Sequence, residues 1–559
     1  MVLATSAVFL VQLLCVLVPC NPRYPIPDLS QDEDKVNDRF AGIAGSNFLK
    51  RLWHSHSDEG HHALPPLVKT EGGVVEGYVM KVSPVPKSPW NGILKAVSPG
   101  RPCLQYNVPK GFRVLGGEDC LFLNVYSPQM PSPVGLDAKK LPVIVFLHGG
   151  FLSSGDAASP GNWGLKDQAL ALEWISKNIE SFGGDKHRIT IMGQSAGSAL
   201  VHFHLLSRRS RPFFHAAISM SGTAFNYWAL HSTHQARNYS QTLAKLVGCP
   251  SFDSEEMVEC LRYTNSALLV TQTQFFLDDW PYPSNAWRPC IEPLEGNLDP
   301  FLTESPLALY SRGDVAKVPW IVTIVSGEGY QFLLYPYITF QMKTLRKNWE
   351  RLAHDLADVD TFQDSLDLKK ITKKLTRFYF RNVPPEKSPV HNFANIITDR
   401  FFLSGIYKSI QAHVQIAPTY SYIFDVNGQY NIIENFGYSR NEWGVGHAED
   451  LFYVFNSSLT YHGFNREDPE FQVSQFLVNV FTNFAAKRQP LFTRSDGNAI
   501  QLWHPHESPT QLNFLKIEMD TAYMVSDPFR KRVRFWERIR IPDTPTETDI
   551  LFVHNEAAK

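Results

Sequence analysis

The 559 residues carry 53 Lys and Arg against 55 Asp and Glu, a formal charge of -2, with 43% hydrophobic and 19% charged side chains. That balance excludes wholesale disorder, and the lack of a long basic run excludes the electrostatic footprint of a nucleic-acid binder. What remains is a globular chain with a sizeable core, whose partner is expected to be a small, uncharged or weakly charged molecule; length alone does not separate one large unit from several small ones.

From Ala7 to Val18 the run AVFLVQLLCVLV is almost entirely apolar. It is too short to span a bilayer and sits where the apolar region of a secretory signal belongs, so residues 1–20 are expected to be a signal peptide cleaved near Cys20, and the protein to be secreted. No Lys or Arg precedes Arg23, which leaves only the terminal amine as the basic flank; the alternative is a buried N-terminal strand or helix. Residues 21–64 are polar and read as an irregular leader. Within them His54, His56, His61 and His62 could catch a metal ion, but nothing fixes a coordination geometry, so solvated histidines are expected and no metal site.

Export makes the cysteines after the leader candidates for disulfides. There are five: Cys103, Cys120, Cys249, Cys260 and Cys290. Short closures pair Cys103 with Cys120 and Cys249 with Cys260, each worth about 3 kcal/mol on the loop-entropy model. Cys290 is left as a buried structural thiol. Asn238 and Asn456 begin glycosylation sequons, meaningful only if the chain is exported.

Residues 65–540 read as one folded unit and 541–559 as a polar tail. Short apolar runs bounded by Gly, Pro and Asp alternate with helical periodicity, the signature of an α/β fold with a mainly parallel sheet covered by helices on both faces. The strand candidates are CLFLNVYS from Cys120, PVIVFL from Pro142, RITIM from Arg188, HAAISM from His215, VPWIVTIV from Val318 and TYSYIF from Thr419. Leu165, Ala169, Leu172, Ile175 and Ile179 recur every three or four residues and predict an amphipathic helix before RITIM.

RITIM runs directly into Gly193-Gln194-Ser195-Ala196-Gly197, and a helical pattern follows. A serine on a strained strand-to-helix turn needs neighbours without bulk two residues away on each side, which both glycines provide. Serine is a poor nucleophile at neutral pH and needs a base oriented by a carboxylate. Downstream, Ser326-Gly327-Glu328-Gly329 puts Glu328 at the C-terminal end of a strand, where open α/β sheets build their sites. The glycine-rich Gly444-Val445-Gly446-His447 then offers His447. The catalytic candidates are therefore Ser195 as nucleophile, Glu328 as orienting acid and His447 as base, in the chain order this elbow implies.

GQSAG, FGGDKHRITI, NWGLKDQALALEWI, EDCLFLNVYSP, SGEG and GVGHAEDLF together resemble the type-B carboxylesterase family, which includes cholinesterases and juvenile hormone esterases, over most of residues 65–540. The resemblance implies an α/β-hydrolase fold, the triad and the two short disulfides named above, and ester hydrolysis without a cofactor. It also implies an oxyanion hole from the N–H of Ala196 and from Gly149 and Gly150 in His148-Gly149-Gly150-Phe151; His148 itself is expected to be structural.

Two segments of the family pattern are missing. Only the residues from His148 to Gly164 separate the PVIVFL strand from the next helix, too few for the family's extra helix and strand, which need about 30 residues; a second gap lies near Lys81 to Pro84. The sheet is thus expected to lack one core strand and helix, on the side of PVIVFL away from RITIM, and Phe151 stands where a further glycine is expected. No tryptophan lies between Cys103 and Cys120, which argues against choline esters held by cation–π attraction. Gln194 before the nucleophile is similar to juvenile hormone esterases and favours an apolar ester. The alternative is a catalytically impaired or non-catalytic relative, either a deletion isoform or an adhesion protein like the neuroligins, although those lack the serine and end in a membrane span.

Overall fold

The computed structural model describes residues 101–539, apart from internal stretches of which 129–139, 148–157, 277–286, 354–364, 432–442 and 456–463 are the longest, together with short strands at 9–12, 75–76 and 85–86. The leader histidines, the gap near Lys81 to Pro84, Gly149, Gly150, Phe151, Asn456 and the tail from 541 lie outside the described residues.

Nine strands form the central sheet. In chain order they are β1 Phe9–Gln12, β2 Asn124–Tyr126, β3 Leu141–Leu147, β4 Gly184–Gln194, β5 Ala216–Met220, β6 Trp320–Val325, β7 Thr419–Phe424, β8 Asn513–Ile517 and β9 Ala522–Ser526. Their spatial order is β9-β8-β7-β6-β5-β4-β3-β1-β2. All neighbours are parallel except the two outermost pairs, β8 with β9 and β1 with β2. The expected mainly parallel sheet is the observed one. Its strands are longer or shorter than the apolar runs suggest: β4 begins four residues before RITIM, while only the last part of CLFLNVYS is extended.

The period-2 alternation of strands explains the two-sided core. Val143, Val145 and Leu147 of β3 pack on one face with Val201 and Leu205 of helix α2 (Ala196–Leu206). Ile144, one residue out of step, joins the opposite face with Leu477, Phe481 and Phe484 of helix α3 (Pro469–Lys487). The amphipathic helix expected before β4, α1, spans Trp163–Asn178, with Leu165, Ala169, Leu172 and Ile175 all buried. Covered on both sides, the middle strands β5, β6 and β7 are buried at every residue, and their few hydroxyl side chains, such as Ser219 and Thr323, are buried with them.

The position beyond β3 on the side away from β4 is not empty. β1 fills it, pairing Phe9–Gln12 in parallel with Val143–Phe146 and antiparallel with Asn124–Tyr126. The strand expected to be missing from this edge is thus supplied by the apolar run at the N-terminus. Both short disulfides form, with Cα–Cα distances of 4.8 Å for Cys103–Cys120 and 5.7 Å for Cys249–Cys260; Cys290 is a buried thiol.

Candidate active site

Ser195 sits between the end of β4 and the start of α2 with φ 58° and ψ -122°. A residue with a Cβ pays about 1–3 kcal/mol for such a backbone and keeps it only where the surroundings enforce it. Here the enforcement is visible. The Ser195 N–H donates to the Met220 carbonyl on β5 at 2.8 Å, and Ser198, one turn along α2, donates its hydroxyl to the Gly222 carbonyl at 2.5 Å. Gly222 packs so closely that an added Cβ would meet the Ser195 carbonyl oxygen at 2.5 Å. The elbow is wedged between two strand ends, and the side chain it carries is left partly exposed.

Glu328 follows β6 and is completely buried. One carboxylate oxygen accepts the Val325 N–H at 3.0 Å, and the other lies 2.5 Å from His447 Nδ1. The loop carrying His447 is tied to the acid's loop by the Gly327 N–H, which donates to the Val445 carbonyl at 3.1 Å. A carboxylate can only accept, so Nδ1 of His447 carries the proton of that contact and Nε2 is left with its lone pair. That lone pair faces Ser195 Oγ at 2.8 Å. Three side chains separated by more than a hundred residues along the chain are therefore in hydrogen-bond contact, in the order Ser195, His447, Glu328.

Four further residues shape the surroundings. The side-chain amide of Gln194 lies 3.2 Å from His447 Nε2, so a neutral carboxamide shares the base with the serine. Phe402 and Phe332 flank the imidazole with ring centroids 4.7 Å and 5.6 Å away. Trp228 donates its indole N–H to the Phe401 carbonyl at 2.6 Å, and its ring edge reaches the same space beside Gly222 as the Ser195 carbonyl. Sequence reasoning missed these aromatics. Phe402 lies in the π-helical turn Thr398–Leu403, whose position against the base no local pattern encodes.

Asp450 was also missed, although it lies three residues after His447. It is wholly buried, and burial followed by the charge of Glu328 pushes its carboxyl up to about 7. Ala196 opens α2, where first-turn N–H groups have no acceptor within the helix; Gly149 and Gly150, the other oxyanion candidates, lie outside the described residues.

The family model described as the carboxylesterase family matches residues 82–150 and 150–536, two stretches that meet at Gly150. The chain belongs to the carboxylesterase family. As a member it is a carboxylic ester hydrolase. It is 30% identical to venom carboxylesterase-6 of Apis mellifera over 82% of this chain and 86% of that protein, and 32% identical to the juvenile hormone esterase of Tribolium castaneum over 73% and 77%. The crystal structure of juvenile hormone esterase from Manduca sexta, with OTFP covalently attached, superposes with a TM-score of 0.69 at 23% identity, covering 85% of this chain and 99% of that one. That likeness establishes the α/β-hydrolase fold. Among the described residues no helix is long and apolar enough to cross a membrane.

Proposed function

We propose that the protein is a secreted serine esterase acting on an apolar carboxylic ester, with Ser195 as nucleophile, His447 as base and Glu328 as its orienting acid. The observation that carries this reading is the 2.8 Å contact between His447 Nε2 and Ser195 Oγ, with Glu328 hydrogen-bonded to the opposite ring nitrogen. Ser195 Oγ attacks the ester carbonyl while His447 takes its proton, and Glu328 stabilises the imidazolium that forms. The Ala196 N–H, with Gly149 and Gly150, receives the developing oxyanion. His447 then returns the proton to the departing alcohol, leaving an acyl-enzyme; water, deprotonated by the same imidazole, releases the acid and restores Ser195.

An apolar ester is favoured by the company His447 keeps. Phe332 and Phe402 put apolar ring surface beside the imidazole, Trp228 packs on Phe402, and the residue beside the base, Gln194, is neutral. An ester like juvenile hormone is the specific class this suggests, in keeping with the relative of that name. For export, the support is the apolar run at 7–18, two disulfides, and a relative named for venom, an exported fluid. Asn238 is exposed on the helix Thr233–Leu246, open to a glycan.

Hydrolysis of a simple aryl ester by the purified full chain, compared with Ser195→Ala, tests the reading. The rate is expected to depend on Ser195. Equal rates for the two proteins refute the catalytic assignment, and no rate from either identifies a non-catalytic relative.

A further inference from the structure

Two completely buried carboxyl groups feel one imidazole, Glu328 through a hydrogen bond and Asp450 through its charge. Glu328 and Asp450 are each 0% exposed, and both are anchored to the same strand, Glu328 to the Val325 N–H and Asp450 to the Thr323 hydroxyl two residues earlier on β6. Two neighbouring anions buried from the surface repel strongly, so one of the pair holds a proton, as in other carboxylate pairs that share a site. The hydrogen bonds decide which. Glu328 receives a backbone N–H at 3.0 Å and the imidazole N–H at 2.5 Å, two donors that have no other hydrogen to give and that favour an anion. Among the described residues Asp450 has only hydroxyl hydrogen-bond partners, Tyr422 at 3.2 Å and Thr323 at 3.4 Å, both on one oxygen; its other oxygen is buried and meets no donor among them. A hydroxyl accepts as readily as it donates, so these contacts persist when Asp450 is an acid.

We propose that Asp450 is a positioning residue that carries the proton while Glu328 carries the charge, so that the buried pair presents a single negative charge to His447. The groups facing it are Thr323 from β6, Tyr422 from β7, Glu328 from the turn after β6, and His447 from the preceding loop. Tyr422 remains a neutral phenol, because its own burial pushes it well above the usual range. The consequence for the reaction rests on the catalytic reading above. A second ionised carboxyl would add negative charge beside the imidazole and favour its charged form over the neutral one that accepts the serine proton. With one, the base is free, and the charge lies on the group hydrogen-bonded to it. The shift of Asp450 to about 7 agrees with this division.

The test follows the proton directly, by infrared difference titration of the full-length protein, the wild type beside Asp450→Asn and Glu328→Gln. At about pH 6 the wild type is expected to show the C=O stretch of a protonated carboxyl, missing from Asp450→Asn, and that band should fade as pH rises through about 7. In Glu328→Gln, which removes the neighbouring charge, the band should fade at lower pH. A wild-type spectrum with no such band at about pH 6, or a band indifferent to Glu328→Gln, overturns the proposal, and neither result needs the Asp450 variant to fold. Kinetics add a second reading. Above about pH 7 ionisation of Asp450 adds a second charge beside the imidazole, so the ratio of kcat/KM at about pH 8 to that at about pH 6 should rise at least about twofold in Asp450→Asn; a purely structural Asp450 would lower both values alike. A protein that shows the band but hydrolyses esters without Ser195 keeps the proton placement and loses the triad. A Ser195-dependent enzyme without the band does the reverse.

Discussion

Gly193 and Gly197 approach so closely across the elbow that a Cβ on the first would stand 2.3 Å from the carbonyl oxygen of the second. The chain must reverse from β4 into α2 within this contact, and Ser195 at its apex takes the strained backbone that presents its hydroxyl to His447. Gly193→Ala forces backbone to move, with no flexible side chain able to yield. It is expected to cost about 1–3 kcal/mol by overpacking and to lower kcat by about a hundredfold through misplacement of the nucleophile. Chemical denaturation alongside ester assays checks this; an alanine variant with unchanged midpoint and rate would mean that the elbow is looser than drawn.

Phe332 stands beside the base and is only half-buried, so its ring is available to a substrate. Phe332→Ala should lower kcat/KM about tenfold for an ester with a long apolar chain and much less for an acetate ester, since each buried apolar group contributes about 1–3 kcal/mol. Equal losses on the two substrates would point to a displaced imidazole rather than a lost apolar contact.

Four buried histidines make the fold acid-sensitive. His202 lies in a directional chain: its Nδ1 accepts the Ala224 N–H at 3.1 Å, its Nε2 meets Tyr310 at 3.0 Å, Tyr310 meets His413 Nδ1 at 3.1 Å, and His413 Nε2 ends on the Val318 carbonyl at 3.0 Å. Burial depresses His202 well below the usual imidazole range, His413 and His506 to about 4, and His204 to about 3. The unfolded chain takes up protons from about pH 6.5 downwards that the folded chain refuses, so stability is complete above about 6.5 and is lost as pH falls from there towards 4. Each such histidine contributes a slope of about 1.4 kcal/mol per pH unit inside that window. Denaturation midpoints measured between about pH 7.5 and 5 should fall steeply; a flat profile would show that these imidazoles are solvated.

The apolar run at the N-terminus has two uses that exclude each other. As a signal peptide it is removed near Cys20, and Val143–Phe146 then loses the partner that β1 provides. The intact mass of secreted protein is expected to begin after Cys20, and that mature form should be less stable, by a few kcal/mol of lost strand pairing, than a form retaining residues 1–20. Finding Phe9–Gln12 in the secreted chain would reject the signal-peptide assignment and make β1 a permanent strand.

The sheet was legible where apolar runs are long and continuous: β3, β5, β6 and β7 coincide with the runs at Pro142, His215, Val318 and Thr419. β8 and β9 escaped notice because a five-residue strand at the sheet's outer end, exposed along most of β9, lacks both a continuous apolar run and a clean alternation. β1 lies in the run expected to be a signal peptide, with a buried strand as the alternative; the sequence leaves both open, since an apolar stretch does not reveal its partner, here more than 130 residues away. At the site, Ser195, Glu328 and His447 were readable because each sits in a glycine-bounded loop following a strand or preceding an apolar segment. Phe402 and Asp450 were not, because what places them against Glu328 and His447 is packing between elements.

The proposed function requires that His447 activate Ser195 for acyl transfer. Ser195→Ala and His447→Ala should each cost about 10⁶ in kcat, and Glu328→Gln about 10⁴. The most direct measurement is stoichiometric labelling with a serine-directed organophosphate, followed by peptide mapping and a turnover assay. One label per chain on the peptide carrying Ser195, with hydrolysis lost in proportion, is the expected result; undiminished hydrolysis after complete labelling elsewhere would contradict it.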